Sequence, residues 1–397
     1  MHSRWQALLL LTAARTSMGI QFQSIAAVAA PLQAELALSY ADLGALIGLY
    51  FLPGVFLALP AAALGRRAGD RRVVLAGLGL CVLGGLICAL AGGFGSLAAG
   101  RVIAGMGAVL LNVLMSKMVT DWFAGERDIV LAMAVFVNSF PIGVGLALLP
   151  CGSVAAPFGW QAGLLVVPVF ALGALALLGL GYRPHPNDRA SAGLAGGITL
   201  TEAVLICLAG AIWGIFNGGF GATFGFTPGY LAGLGLSATT AALAVSAATW
   251  GLVASVQAGG VLAQRGLAPA RLMLGGCLAW GASLVLLALG LAPAALWVLL
   301  AGLVMGLPVG VIMAMPARVL RPESRALGMG LFYLWLYIGH GAVPPLAGLL
   351  QDVSGNPAAP FWFVAGLTLV MLGMFAAFDW GARRLLARRA AQAIKAA

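Results

Sequence analysis

One guanidinium lies within an apolar stretch near the start of this 397-residue chain. Arg15 follows the run ALLLLTAA, and the run SIAAVAAPL begins just after Gln21 and Gln23. A charged side chain at the centre of a membrane helix costs about 2.5–3.5 kcal/mol on insertion scales. At about 1.5 Å per helical residue, Arg15 lies about 15 Å beyond Trp5, near the middle of a bilayer. We therefore expect Arg15 to face a polar cavity, where its planar guanidinium could pair with an oxyanion or carboxylate.

Other polar and aromatic residues recur deep in apolar segments and could complete such a site. Asn112 follows Arg101 by eleven residues, and Tyr333, Tyr337 and His340 recur at helical spacing. No Asp or Glu lies deep in an apolar segment, so neither membrane arginine has an evident carboxylate partner, and a bound anion would supply it. The candidate substrate-binding residues are Arg15, Gln21, Gln23, Arg101, Asn112, Asn138, Trp213, Asn217, Trp250, Tyr333, Tyr337 and His340.

Each of these residues also has a structural interpretation. Arg15 could bond backbone carbonyls or glutamine side chains of broken helices, and Arg101 fits packing or gating better than substrate contact. The asparagines could hydrogen-bond neighbouring helices together, and the tyrosines could be packing residues. His340 is a proton-coupling candidate because histidine changes charge near neutral pH, but it could equally be a packing residue among aromatics.

Composition limits the class of protein. Hydrophobic residues make up 62% of the chain and charged residues 8%, whereas soluble domains carry about 25% charged residues. The chain is therefore predicted to be an integral membrane protein. The net charge of +10 does not indicate nucleic-acid binding, because the basic residues lie in short loops between apolar runs.

Catalytic, metal and redox sites are not expected. The five cysteines lie inside apolar stretches without CxxC spacing and are interpreted as small packing residues. The three histidines, His2, His185 and His340, occupy unrelated places, so no cluster of nucleophile, base or metal ligands is evident. We expect no cofactor.

Twelve apolar segments are long enough to cross a bilayer. They are 5–32, 40–63, 73–93, 97–118, 128–152, 160–182, 200–227, 237–260, 271–290, 294–315, 325–350 and 358–381. The first is expected to stay as an uncleaved helix. Lys and Arg concentrate in alternate loops, which predicts that both termini are cytoplasmic. We expect the protein to lie in the cytoplasmic (inner) membrane. The topology and cytoplasmic gate candidates are Arg66, Arg67, Asp70, Arg71, Arg72 and Arg265.

The two halves of the chain resemble each other. The segment APLQAELALSYADLGAL after the first span matches TPGYLAGLGLSATTAAL after the seventh, at an offset of nearly two hundred residues. This repeat predicts a six-helix bundle over 1–182, a cytoplasmic linker over 183–199, and a second bundle with a basic tail over 200–397.

Three motifs resemble those of major facilitator superfamily transporters. They are GRRAGDRR (65–72), RVIAGMG (101–107) and FGWQAG (158–163). The resemblance implies an all-α membrane fold with two pseudo-symmetric six-helix bundles, a central cavity and a monomer. Two features depart from the family: the acidic residue of the 2–3 loop falls at Asp70 rather than near Arg66, and the fifth helix lacks a Gly-Pro-x-x-Gly element. The RR-x-G loop, with GER and PESR, is loosely similar to the cyanate, nitroimidazole and related anion carriers.

The expected function is secondary transport of a small anion across the membrane by alternating access. Coupling to protons, exchange for a counter-anion and facilitated passage remain open, as does the direction of transport. Export of amphipathic compounds is the main alternative, and a membrane enzyme or a sensor is a more distant one. The expected partners are the anion and the lipid bilayer, and no nucleic acid.

Overall fold

The computed structural model describes residues 4–123, 129–184, 197–321 and 324–396, and the chain is 88% helical, without strands in those ranges. Its helices are α1 (Arg4–Ala27), α2 (Ala29–Leu36), α3 (Tyr40–Leu49), α4 (Gly54–Ala68), α5 (Asp70–Ala89), α6 (Phe94–Phe123), α7 (Ile129–Phe158), α8 (Trp160–Gly181), α9 (Leu200–Gly233), α10 (Ala238–Gln264), α11 (Pro269–Ala288), α12 (Ala294–Met305), α13 (Val309–Val319), α14 (Arg325–Ser354) and α15 (Ala359–Ala396). The predicted all-α membrane fold is confirmed.

Three of the predicted segments are each split into two helices. The first breaks at Val28 between α1 and α2, the second at residues 50–53 between α3 and α4, and the tenth at residues 306–308 between α12 and α13. Pro53 and Pro308 lie at the last two breaks, where proline removes a backbone donor. Ten helical stretches among the described residues are long and apolar enough to cross a membrane. Neither α1 nor α14 is one of the ten, and both carry candidate site residues.

Helices α3 and α9 begin with the same type of N-terminal cap. The Ser39 hydroxyl accepts from the Asp42 amide and the Asp42 carboxylate accepts from Ser39, which starts α3. Thr199 and Glu202 form the same reciprocal pair at the start of α9. Such capping boxes satisfy amide donors that a helix cannot pair internally.

Close helix crossings depend on glycine in both halves of the chain. A Cβ on Gly19 of α1 would collide with the α7 backbone beside Gly143, and a Cβ on Gly339 of α14 would collide with Gly214 of α9. The second crossing follows the first by nearly two hundred residues, which agrees with the internal repeat. Small residues let membrane helices approach closely.

The described gate candidates cluster at one surface, called here the basic face, where α4, α6, α8 and α10 end. Asp70 is buried and forms an ion pair with Lys117 of α6, so an inter-helix salt bridge forms although the acid is shifted along the loop motif. Arg71 donates to the Gly179 carbonyl at 2.5 Å. Arg67, Arg72 and Arg265 are exposed. The structure does not describe the side chain of Arg66.

Helices of the two predicted bundles meet near the other surface, called here the opposite face. Asp352 of α14 accepts from the backbone amides of Tyr40 and Ala41 at 2.9 and 2.6 Å, where the helix dipole of α3 favours a carboxylate. Ser246 of α10 donates to the Gly145 carbonyl of α7 at 2.9 Å. The predicted linker 183–199 lies partly outside the described residues, so the bundle boundaries stay a prediction.

Candidate functional site

A cavity of about 440 Å³ lies between α1–α8 and α9–α15 and is lined from both sides. Its walls come from helices of the first, second, fourth, fifth, seventh, eighth, tenth and eleventh predicted spans. Eight of the twelve candidate residues line it: Arg15, Asn112, Asn138, Trp213, Asn217, Tyr333, Tyr337 and His340.

Arg15 is the charged residue among the described residues of the cavity wall, and it is 9% exposed. Its Nη1 donates to the carbonyls of Phe136 and Val137 at 3.1 and 3.0 Å and to the Ser139 hydroxyl at 3.1 Å. Its Nη2 donates to Asn112 Oδ1 at 2.9 Å, and its Nε has no hydrogen-bond partner among the described residues. Arg15 therefore ties α1 to α6 and α7 and keeps part of its donor capacity unused.

The sequence of α7 explains one of these contacts. Pro141 has no backbone N–H, so the carbonyl of Val137, four residues earlier, cannot be paired within the helix. Arg15 supplies the missing donor. The guanidinium lies 4.8 Å from the centroid of the Phe136 ring, which adds a cation–π contact.

Arg15 has no carboxylate partner within the described part of the chain. The acidic residues described there lie near one of the two faces, and none lines the cavity. They are Glu35, Asp42, Asp70, Asp121, Glu202, Asp352 and Asp379. The hydrogen bonds of Arg15 satisfy donors but leave its positive charge uncompensated, which is costly in a site of low dielectric constant.

Two asparagines lie beside the guanidinium. Asn112 accepts from Arg15 and donates from Nδ2 to the Tyr337 hydroxyl at 3.4 Å, which links α6 to α14 across the cavity. Asn138 follows Phe136 and Val137 in α7, whose carbonyls accept from Arg15. Its side chain lines the cavity and makes no hydrogen bond with the described residues. The amide of Asn138 is thus free to bind a ligand next to Arg15.

His340 lies at the wall of the cavity between aromatic rings. It is stacked on Phe51 with ring centroids 4.0 Å apart and meets Phe22 edge-on at 5.6 Å. Neither ring nitrogen makes a hydrogen bond of good geometry with the described residues, although the Leu336 carbonyl one turn earlier interacts with the ring.

Four candidate residues lie away from the cavity. Gln21 donates to the Cys81 carbonyl of α5 at 3.1 Å, and Gln23 donates to the Phe224 carbonyl of α9 at 2.9 Å. Trp250 is 45% exposed and lies beside Gly145 of α7. The structure therefore does not bring Gln21, Gln23, Trp250 or Arg101 to the cavity wall.

Arg101 is 1% exposed, and all three nitrogens of its guanidinium donate to backbone carbonyls. Its Nε, Nη1 and Nη2 donate to the carbonyls of Leu46, Gln21 and Phe22 at 2.8, 2.6 and 3.2 Å. The guanidinium also lies 4.6 Å from the centroid of the Tyr50 ring. This geometry agrees with the packing interpretation, because Arg101 joins α1, α3 and α6 near the opposite face.

Most of the cavity wall is apolar, and apart from Trp213 its apolar residues were not among the candidates predicted from the sequence. Trp213, Phe216 and Phe220 recur at i, i+3 and i+7 on α9, a helical spacing that could have identified them as one face. Trp213 is stacked almost parallel to Phe216, with centroids 5.5 Å apart. Further apolar lining residues include Met18, Phe51, Val137, Phe140, Leu252 and Val309.

The cavity extends from the level of Arg15 toward the basic face. Several lining residues lie in the parts of their helices that are nearest to the basic face. They are Ala58, Ser116, Met133, Val256, Met313 and Gly330. On its other side the helices close together, since Gly44 of α3 packs on the backbone of Pro344 and Gln23 bridges α1 and α9.

Comparison with known families explains this architecture. The family model described as Major Facilitator Superfamily matches residues 9–299 and 205–393. The chain belongs to the Major Facilitator Superfamily. A relative within the superfamily is the uncharacterized MFS-type transporter Rv1250 of Mycobacterium tuberculosis, which is 32% identical over 179 residues. That match covers 44% of the chain and 31% of the relative, so the chain spans about a third of that relative's length.

Solved structures share the superfamily fold over nearly the whole chain. A D-xylose-proton symporter aligns with a TM-score of 0.79 at 15% identity, covering 94% of this chain and 97% of that one. A point mutant of the nucleoside transporter NupG aligns at 0.74 and 12% identity, covering 94% and 99%. A bacterial homolog of the human lysosomal transporter Spinster, in an inward-facing and occupied conformation, aligns at 0.71 and 19% identity, covering 98% and 97%. At these identities the likeness shows the fold alone.

Proposed function

We propose that this superfamily member is a secondary transporter that moves a small organic or inorganic anion across the membrane by alternating access. The observation that carries the proposal is Arg15, a guanidinium without a carboxylate partner in the described chain, at the wall of a cavity between two groups of helices. A bound anion would compensate its charge, with the free amide of Asn138 beside it. The names of the similar structures, which describe a nucleoside transporter, a D-xylose-proton symporter and a bacterial homolog of a lysosomal transporter, support transport as the activity.

The arrangement of the cavity fits one state of an alternating-access cycle. The two groups of helices are in contact through Asp352 at the opposite face and through Gln23 and Ser246 between that face and the cavity, whereas the cavity reaches toward the basic face. The excess of Arg and Lys at the basic face supports a cytoplasmic location for that face and for both termini. The cavity would then load or release its anion on the cytoplasmic side of the inner membrane, in a protein that acts as a monomer.

Export of amphipathic compounds is the second candidate, because the cavity wall is mostly apolar and aromatic. The two functions differ in their dependence on ligand charge. Anion transport requires the charge of the ligand, whereas apolar burial would retain neutral and cationic compounds of similar shape.

Exchange in proteoliposomes tests the proposed function. We expect vesicles preloaded with unlabelled benzoate to take up labelled benzoate at least about tenfold faster than protein-free vesicles, at pH 8, where carboxylic acids are ionised. Nitrate, cyanate and acetate are competing anions in the same assay, and benzamide and benzylamine are the neutral and cationic controls. Equal inhibition by benzamide, benzylamine and benzoate would favour amphipathic export. Specific binding without exchange would favour a sensor, and chemical conversion of the probe would favour an enzyme.

We propose His340 as the candidate for proton coupling, and the alternatives are anion exchange, facilitated passage and a proton carried by the substrate. In proteoliposomes with an inward proton gradient, wild-type protein is expected to accumulate labelled benzoate faster than protein-free vesicles, in which benzoic acid enters passively, and His340→Gln is expected to lose this difference while retaining exchange. The reason is that exchange needs no net proton movement, whereas coupling through the protein requires a side chain that takes up and releases a proton. Equal accumulation by the variant would show that the proton crosses with the substrate itself. A wild type that ignores the gradient would rule out coupling through His340.

A further inference from the structure

The cavity that would hold the anion is much larger than a small inorganic ion requires. Its volume is about 440 Å³, whereas a water molecule occupies about 30 Å³ in the liquid. An anion of three or four atoms would leave most of this space filled with water against apolar walls. Cavities for organic ligands span about 300–1,000 Å³ and are mostly apolar, with a few placed polar groups.

The polar groups of the cavity are unevenly distributed. Arg15, Asn112 and Asn138 lie together on α1, α6 and α7, and they offer donors for one anionic group. The wall contributed by α9 carries Trp213 and Phe216, whose nearly parallel rings stack on each other. Asn217 also lines this wall, and its amide donates to the Trp213 carbonyl within α9. The cavity therefore has a charged end at Arg15 and a mainly aromatic wall at α9.

The charge of the cavity limits the charge of its ligand. Arg15 is the charged residue among the lining side chains, and the described part of the chain contributes no carboxylate to the wall. A dianion would leave its second charge uncompensated, and a cation or zwitterion would lack a partner for its positive group. The lining therefore favours a single negative charge.

From these observations we infer that the substrate class is a monovalent organic acid with a bulky apolar body. Its carboxylate lies against Arg15 and Asn138, and its body packs on the wall formed by Trp213 and Phe216. This inference rests on the proposed function and narrows it: small inorganic anions, dicarboxylates and amino acids bind more weakly than apolar monocarboxylates.

A graded set of ligands tests the inference on the purified full chain in lipid nanodiscs, by isothermal titration calorimetry. The acids are acetate, butyrate, hexanoate, benzoate and 1-naphthoate; the comparison anions are nitrate, cyanate and succinate; benzyl alcohol and benzylamine lack the negative charge. We expect affinity to rise about threefold to fourfold per buried methylene along the aliphatic series. Benzoate is expected to bind at least about tenfold more tightly than acetate or succinate.

Matched variants locate the apolar body of the ligand. Trp213→Leu is expected to weaken benzoate binding about fivefold to tenfold while acetate changes little, because the aromatic contact is lost. Trp250→Leu is the control, since Trp250 is a tryptophan away from the cavity. If Trp213→Leu does not fold, Val137→Trp serves instead: Val137 is 51% exposed, and the larger ring would fill the cavity and exclude naphthoate before acetate.

The outcomes separate the substrate class from the proposed function. If nitrate, cyanate or acetate binds as tightly as benzoate, and Arg15→Gln abolishes this binding, the inferred substrate class is wrong. The proposal of anion transport would then be retained. Equal binding of benzoate and benzyl alcohol, unaffected by Arg15→Gln, would overturn the anion function itself. No binding of any probe at millimolar concentration would contradict both.

Discussion

Replacing Arg15 with glutamine should weaken binding of monocarboxylates by about 10- to 150-fold, because a hydrogen bond to a charged group contributes about 1.5–3 kcal/mol. Arg15 is the charged residue that lines the cavity, and its charge has no carboxylate partner in the described chain. Arg15→Lys keeps the positive charge but lacks the planar guanidinium that can donate two parallel hydrogen bonds to a carboxylate. We therefore expect an intermediate loss of affinity. Calorimetric titration with benzoate measures both effects.

The control for this variant must separate ligand binding from folding, since Arg15 also pairs the carbonyls of Phe136 and Val137. Arg271→Gln makes the same chemical change at an exposed position of α11 and should leave affinity unchanged. A single symmetric peak in size-exclusion chromatography verifies that each variant is folded. If folded Arg15→Gln binds benzoate as tightly as wild type, Arg15 is purely structural and pairs the backbone carbonyls of α7.

Replacing Arg101 with methionine should destabilise the protein by about 3 kcal/mol or more. The substitution removes three hydrogen bonds from a charged group, to the carbonyls of Leu46, Gln21 and Phe22, and a hydrogen bond to a charged group contributes about 1.5–3 kcal/mol. The junction of α1, α3 and α6 would loosen. Thermal and denaturant unfolding of the purified variant measure the loss.

Ligand affinity distinguishes the two possible roles of Arg101. Because Arg101 does not line the cavity, benzoate affinity of the folded fraction should stay within about threefold of wild type, a difference of about 0.7 kcal/mol. Arg101→Lys provides a conservative comparison, since lysine keeps a charge and some donors. A variant of normal stability with strongly weakened binding would place Arg101 in contact with the substrate and contradict the packing interpretation.

The helical architecture was predictable because membrane-spanning segments must pair their backbone groups internally. Twelve apolar segments and the asymmetry of Arg and Lys indicated the fold. The breaks at residues 50–53 and 306–308 were less evident, although FLPG and GLPV contain the proline at which each break occurs. A proline can kink a helix or end it, and the packing around it decides which.

The site was predicted in part, and the failures have geometric causes. Gln23 follows Arg15 by eight residues, which at 3.6 residues per turn leaves about 80° of rotation, so Gln23 points at α9 rather than into the cavity. Asn112 follows Arg101 by eleven residues and shares its face, but lies about 16 Å farther along α6. Asn112 therefore reaches the cavity, while Arg101 lies nearer the opposite face.

The sequence by itself determined that the chain spans a membrane, that its basic residues lie at one face and that Arg15 lies at mid-depth. These properties follow from composition and order along the chain. Only the tertiary structure decided which arginine lines the cavity. Arg101 meets three carbonyls where α1, α3 and α6 cross, whereas Arg15 meets a carbonyl released by Pro141 and lines the cavity. The difference arises because the packing of the helices decides which backbone carbonyls each side chain reaches.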